Sequence, residues 1–269
     1  MPYKTGTWFG FVVGIILIAI LILGIIFLLH KLLAPPARGE VLVTIPPDAT
    51  VYDIDRILAA AGVLPQGELM DAIVGSSTAT SSTATTSLDG KLFPDTYCFY
   101  TSSTVDEVIQ KMTDNFDVKA QPLFTARNVT GTIEEEDLIV ASLIQKEVAS
   151  STDQAIVAGI IYKRLAAGYY LDIDATICYA KQQLAPTSTA SCSPLTVADL
   201  KIDSPYNTYT HYGLPPTPIG NPNLGAIEAA LNPATSSYLY YLSDPATGAT
   251  IYAKTLAQQE VNQKKYLKD

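Results

Sequence analysis

From residue 8 to residue 29 the chain carries no charged side chain and is almost wholly Ile, Leu, Val, Phe, Gly and Ala. At about 1.5 Å per residue, a helix over this run reaches roughly 33 Å, enough to cross the hydrocarbon core of a bilayer. Trp8 and Phe9 suit the interface at one end, and Lys31 can snorkel at the other. The run continues His30-Lys31-Leu32-Leu33-Ala34-Pro35-Pro36, which lacks the small-x-small site of a cleaved signal peptide. The expectation is a retained signal-anchor helix at residues 8–33, a short N-terminal segment at 1–7 and a proline-started linker at 34–40.

Charge alone does not orient such a span. Lys4 precedes it, while Lys31 and Arg38 follow it. The body beyond is acidic, with a formal net charge of −9 for the whole chain, and carries a Ser/Thr/Ala tract at residues 76–87. These features favour a cytoplasmic N-terminus and an external body. They also argue against nucleic acid as a partner, because no basic patch is present to neutralise phosphates.

Three cysteines and two histidines match no zinc pattern; a metal site would have to be built mainly from carboxylates, and no motif supports one. An external location permits a disulfide between Cys178 and Cys192, leaving Cys98 free; two buried thiols are the alternative.

Residues 41–45 read as a strand stopped by Pro46-Pro47, and residues 48–63 as an amphipathic helix ended by Gly62. A second strand is expected after Pro94 and a helix over 105–116. Residues 41–100 thus form a small β–α…β unit with its Ser/Thr-rich loop at 75–88, and residues 101–269 form a second region. There, Thr132 with Glu135, then Ser151 with Gln154, have capping-box spacing ahead of two helices. The helices form a hairpin, the connection falling at residues 149–153 and Gly168 stopping the second helix. Beyond it come long Pro-, Thr-, Asn- and Tyr-rich stretches, a β-hairpin over 238–253 and a closing helix over 256–267. The fold class is α+β.

The first hairpin helix ends in the best candidate for chemistry. Counting back from Glu147 by helical steps gives Ile144, Leu143 and Val140. A carboxyl held against that stripe loses water, which raises its pKa, and an acid protonated near neutral pH can donate to a leaving oxygen. The plain alternative is a structural ion pair with Lys146 or a nearby Arg. The turn-rich segment 204–222 offers rings and amides: Tyr206, Tyr209, Tyr212, Asn207 and Asn221. Flat faces and paired donors and acceptors suit a carbohydrate, and equally an ordered surface loop.

Seven blocks occur in a telling order: Val43-Thr44-Ile45-Pro46, Leu92-Phe93-Pro94-Asp95-Thr96-Tyr97, Ala141-Ser142-Leu143-Ile144-Gln145-Lys146-Glu147, Tyr162-Lys163-Arg164-Leu165, Asp174-Ala175-Thr176, Ser204-Pro205-Tyr206-Asn207-Thr208-Tyr209 and Gly213-Leu214-Pro215-Pro216. Together they resemble the endolytic murein transglycosylases, the YceG-like family, over nearly all of the chain from Val41 onward. The resemblance implies a bacterial inner-membrane protein with one N-terminal span, a LysM-like subdomain and a catalytic transglycosylase domain outside the cytoplasm. It implies peptidoglycan glycan strands as substrate, no cofactor, and peptidoglycan synthases as candidate partners. It assigns Glu147 as general acid/base, and Tyr206, Asn207, Tyr209 and Asn221 to substrate binding. Arg164, Asp174 and Gln145 become supports of the site; Gln145 stands where the family often has a second Glu. Lys163, Ala175 and Gln258-Gln259 also depart from the usual pattern. Two other classes stay open: a non-catalytic peptidoglycan-binding tether, and a glycoside hydrolase pairing Glu147 with a second carboxylate such as Asp174.

Overall fold

The computed structural model describes residues 20–26, 28, 38–75, 88–188 and 191–267. It divides into two units, Met1–Gly39 and Glu40–Asp269. In the first, residues 20–26 and 28 are helical and their large apolar side chains are exposed. The rest of the expected span, and the Ser/Thr tract at 76–87, lie outside the described residues. Among the described residues no helix is long and apolar enough to cross a membrane.

The second unit is mixed α+β, with two small antiparallel sheets. Its first part runs β1 (Glu40–Thr44), α1 (Val51–Ala60), α2 (Glu68–Gly75) and β2 (Thr96–Tyr100). The strands pair with Val43 opposite Tyr97 and Val41 opposite Phe99. Period-two alternation buries Val43, Tyr97 and Phe99 and leaves Leu42 and Thr44 outside. The buried face packs on Ile54 and Leu58 of α1 and Leu69 of α2. Asp55 is buried but satisfied, accepting from the backbone N–H of Gly67 (2.8 Å) and Leu69 (3.2 Å). That carboxylate fixes the start of α2, a helix that the sequence reading leaves out.

Helix α3 (Val105–Lys119) follows and belongs to both cores of the unit. Val108 and Met112 complete the first, while Phe116 enters the second. After the short α4 (Gln121–Ala126), α5 (Thr132–Glu147) and α6 (Ser151–Ala166) form the expected helical hairpin. Positions 138–144 of α5 are all buried, so this helix runs through the core rather than along its surface. Next come α7 (Asp174–Leu184), α8 (Leu224–Leu231), the hairpin β3 (Tyr240–Ser243) and β4 (Thr250–Ala253), and α9 (Leu256–Tyr266). Helix α8 packs on both α5 and α6. Gly159 permits close approach on that side: a Cβ there would stand 2.1 Å from the Ala234 carbonyl oxygen.

The capping boxes form elsewhere than at the two places expected. Thr50 with Asp53, and Thr104 with Glu107, form complete capping boxes. At α5 the box expected from Thr132 and Glu135 is not formed. Gly131, at φ +66°, is the N-cap, so Thr132 is already helical and Gly131 has no side chain to cap with. At α6 the cap is Ser150 rather than Ser151, accepting from the Asp153 N–H. The stretch between Gly168 and the C-terminal hairpin also holds two helices that the sequence reading omits, α7 and α8.

Candidate active site

Glu147 is the last residue of α5, and the extended backbone of Val148 ends the helix there. The stripe below it, Val140, Leu143 and Ile144, is 0 % exposed. Glu147 as a whole is half-buried, but its carboxyl is well desolvated. Desolvation is the largest cause that lifts its pKa from an ordinary 4.5 to about 7; the charge of Asp174 adds to the rise, and a hydrogen bond from the Tyr241 hydroxyl opposes it. The acid is therefore about half protonated at neutral pH. Lys146 is not its partner, since that ammonium pairs with the Asp48 carboxylate and donates to the Asp48 carbonyl at 3.0 Å.

Two walls face Glu147. One is β3, which supplies Tyr241. This tyrosine packs on the second core, and its phenol is held neutral by desolvation and by Glu147. Sequence reasoning missed it, because Tyr238, Tyr240, Tyr241 and Tyr252 look alike. The one available signal was the alternation of the hairpin, which separates position 241 from its neighbours. The other wall is the start of α7. Asp174 is its first residue, is exposed and accepts a hydrogen bond from the Tyr209 hydroxyl. Glu147 and Asp174 both raise the Tyr209 pKa, which places Tyr209 beside the pair.

Arg164 braces these walls from α6. Its guanidinium donates twice to the Tyr170 carbonyl, at 2.9 and 2.5 Å, and pairs with Asp172. It also lies 5.3 Å from the Tyr240 ring centroid. Gln145 faces away from Glu147 and accepts from the Asn223 N–H at 3.1 Å; Asn223 in turn caps α8. Lys163 donates to the Ser236 and Tyr238 carbonyls at 2.6 Å each. The side chains of Gln145 and Lys163 thus tie α5 and α6 to the chain around them.

The turn-rich segment divides. Tyr209 reaches the carboxyl pair, whereas the other three candidates are committed inside the protein. The Tyr206 hydroxyl bonds Thr217 Oγ1 at 2.7 Å. The Asn207 amide, 0 % exposed, donates to the carbonyls of Leu200 (3.1 Å) and Ile202 (2.8 Å) and accepts from the Tyr209 N–H (3.0 Å). The Asn221 amide, also 0 % exposed, donates to the Ala49 carbonyl (2.9 Å) and accepts from the Leu92 N–H (2.8 Å). It joins this segment to the first part of the unit. Cys178 and Cys192 are disulfide-bonded, linking α7 to the loop after it, and Cys98 is a free thiol. A polar cleft of about 410 Å³ lies between Thr50, Asp53 and Arg56 of the α1 region and Lys181 and Gln182 of α7, with Lys146 and Ala175 in its lining. Among the described residues, no group of three or more His, Cys, Asp or Glu side chains is placed to share a metal ion.

The chain is similar to known proteins along much of its length. The chain is 34 % identical over 175 residues to an endolytic murein transglycosylase of Streptococcus pneumoniae, a match covering 65 % of this chain and 31 % of that protein. It is 32 % identical over 181 residues to one of Bacillus subtilis, covering 67 % of this chain and 48 % of that protein. The matched stretch is thus about a third to a half of the length of these curated relatives. A crystal structure of a yceG-like protein from Listeria monocytogenes aligns with a TM-score of 0.68 at 29 % identity, covering 82 % of this chain and 75 % of that one. The YceG-like family model matches residues 26–265, which takes in both cores and every residue of the Glu147 site, and the chain belongs to the YceG-like family.

Proposed function

We propose that this protein is an endolytic lytic transglycosylase of peptidoglycan, with Glu147 as its single general acid/base. The observation that carries the reading is the desolvated carboxyl of Glu147, protonated in part near neutral pH and addressed by Tyr241. The names of the relatives support the substrate class. The protonated Glu147 donates to the glycosidic oxygen between MurNAc and GlcNAc, and the C1–O bond breaks. The carboxylate left behind accepts the proton of the MurNAc C6 hydroxyl, whose oxygen bonds C1 and closes a 1,6-anhydro ring. Glu147 ends protonated again. An internal nucleophile replaces water, so the reaction gains the orientation advantage of a unimolecular step. Tyr241 holds the carboxyl in place through the cycle. Tyr209 and Asp174 line the sugar-binding side, and Arg164 holds the two walls together. Tyr206, Asn207 and Asn221 act by shaping the loop, since their polar groups are already paired.

In the same reading residues 8–33 anchor the protein and residues 41–269 lie outside the cytoplasm, where newly made strands are in reach. The strand–helix–helix–strand order of residues 40–100 supports a LysM-like glycan-gripping role, and peptidoglycan synthases are partners to look for.

One observation favours a second reading. Asp174 lies close enough to Glu147 to raise its pKa, and a hydrolase would use such a second carboxylate to hold water. Digestion of glycan strands in heavy-oxygen water separates the two. Unlabelled 1,6-anhydro ends on long fragments are expected; label at MurNAc C1 would establish hydrolysis instead.

A further inference from the structure

Two tyrosines beside the site, Tyr170 and Tyr212, belong to neither hydrophobic core. Tyr212 is 65 % exposed, an unusual position for so large a ring. Its ring lies against that of Tyr170, centroids 3.8 Å apart and planes within 17°. The pair is held from below. Arg164 grips the Tyr170 carbonyl, and the segment after Tyr170 is sewn to the turn before Tyr212: the Asp172 N–H donates to the Thr208 carbonyl (3.3 Å), and the Ile173 N–H to Thr208 Oγ1 (3.0 Å). Asp172 adopts φ +52°, and its exposed carboxylate pairs with Arg164. Beyond it Asp174 meets Tyr209, three residues before Tyr212 and beside Glu147.

From this arrangement we infer that Tyr170 and Tyr212 form a stacking platform for a pyranose ring of the glycan strand, a subsite flanking the bond that Glu147 addresses. The inference rests on the proposed function and deepens it. A hexose has an apolar C–H face and a rim of hydroxyls. The outer face of Tyr212 offers a flat surface for the first. The carboxylates of Asp172 and Asp174, each with one oxygen engaged by Arg164 or Tyr209, offer acceptors for the second. The exposure of the platform is thereby explained: it is covered only when a strand lies along the site.

The test uses the Glu147→Gln protein as a non-cutting binder and glycan strands freed of their peptide stems as probe. Adding Tyr212→Ala is expected to weaken strand binding about 3- to 10-fold, the range of one aromatic contact, in a protein that still unfolds cooperatively. Tyr212→Trp should restore the affinity, which a purely structural role would not predict. Leu184→Ala, at an equally exposed apolar site on α7, serves as the control and should leave binding as it was. If Tyr212→Ala binds strands as tightly as its parent, the platform is wrong even where the wild type cuts them. If the wild type cuts nothing yet strand binding still depends on Tyr212, the platform stands and the transglycosylase reading falls.

Discussion

The helical hairpin α5–α6 and the stretch 169–223, helix α7 with the turn-rich segment after it, meet at the same carboxyl group, yet they are held in different ways. The hairpin is fixed by apolar burial: Leu138 to Ile144 on one helix, and Val157, Ile160 and Ile161 on the other, are at most 4 % exposed. The stretch has fewer such side chains for its length, Leu171, Ile173, Ile177 and Ile219 among them. It is fixed by buried polar groups that satisfy one another, among them Thr176 with Thr208 (3.0 Å), the Asn207 and Asn221 amides, and Ser142 of α5, which accepts from the Ile219 N–H at 3.0 Å. Apolar burial tolerates small rearrangement. A buried amide must find its partners at fixed distances, and each one left unpaired costs free energy. The acid thus stands on the plainer scaffold, and the groups proposed to face the sugar are carried by the more exacting one.

The comparison breaks most readily in the apolar core. Phe116→Ala, which opens a void beside Phe124, is expected to lower stability by about 3–5 kcal/mol in urea or thermal unfolding. A loss under about 1 kcal/mol would mean that the second core is loosely packed. Asn221→Ala probes the other region. It strands the Leu92 N–H and removes a donor to the Ala49 carbonyl, so a loss of about 2–3 kcal/mol is expected, with cleavage falling in step. Near-wild-type stability would show that the buried amides are not what holds the segment.

A smaller, pH-dependent effect sharpens the contact between the two. The Glu147 pKa is raised on folding, so the folded state binds the proton more tightly than the unfolded chain. Its stabilising contribution is complete below about pH 4.5 and is lost as pH rises to about 7. Glu147→Gln should therefore gain on the wild type across that window, by about 1–3 kcal/mol, and run parallel to it above. Stability curves that stay parallel from pH 4 to pH 8, on the order of the window just given, would mean that the carboxyl is solvated.

The same contrast explains what could be read in advance. Apolar helix spacing announced α1, α3, α5 and α6, and the strand-like runs on either side of the turn at 244–248 announced the C-terminal hairpin. Glu147 was legible because its stripe is local in sequence. Helices α7 and α8 were not, since Asp174 to Leu184 has Ile173 as a cap without a side-chain bond, and Leu224 to Leu231 is short and apolar on most sides. Tyr241 was hidden for a different reason: it reaches Glu147 from a strand far along the chain, and such contacts leave no local pattern. Tyr206, Asn207 and Asn221 carried the right chemistry for a sugar, but their partners within the fold become visible only when distant segments are brought together.

The central claim is that Glu147 cycles a proton during glycan cleavage. The most direct measurement is the rate at which folded Glu147→Gln protein cuts isolated glycan strands, compared with the wild type across pH. Glutamine keeps the shape and cannot donate, so a loss of about 10²- to 10⁴-fold is predicted, with wild-type activity declining as pH rises through about 7. A folded Glu147→Gln protein that cuts strands at the wild-type rate would contradict the account.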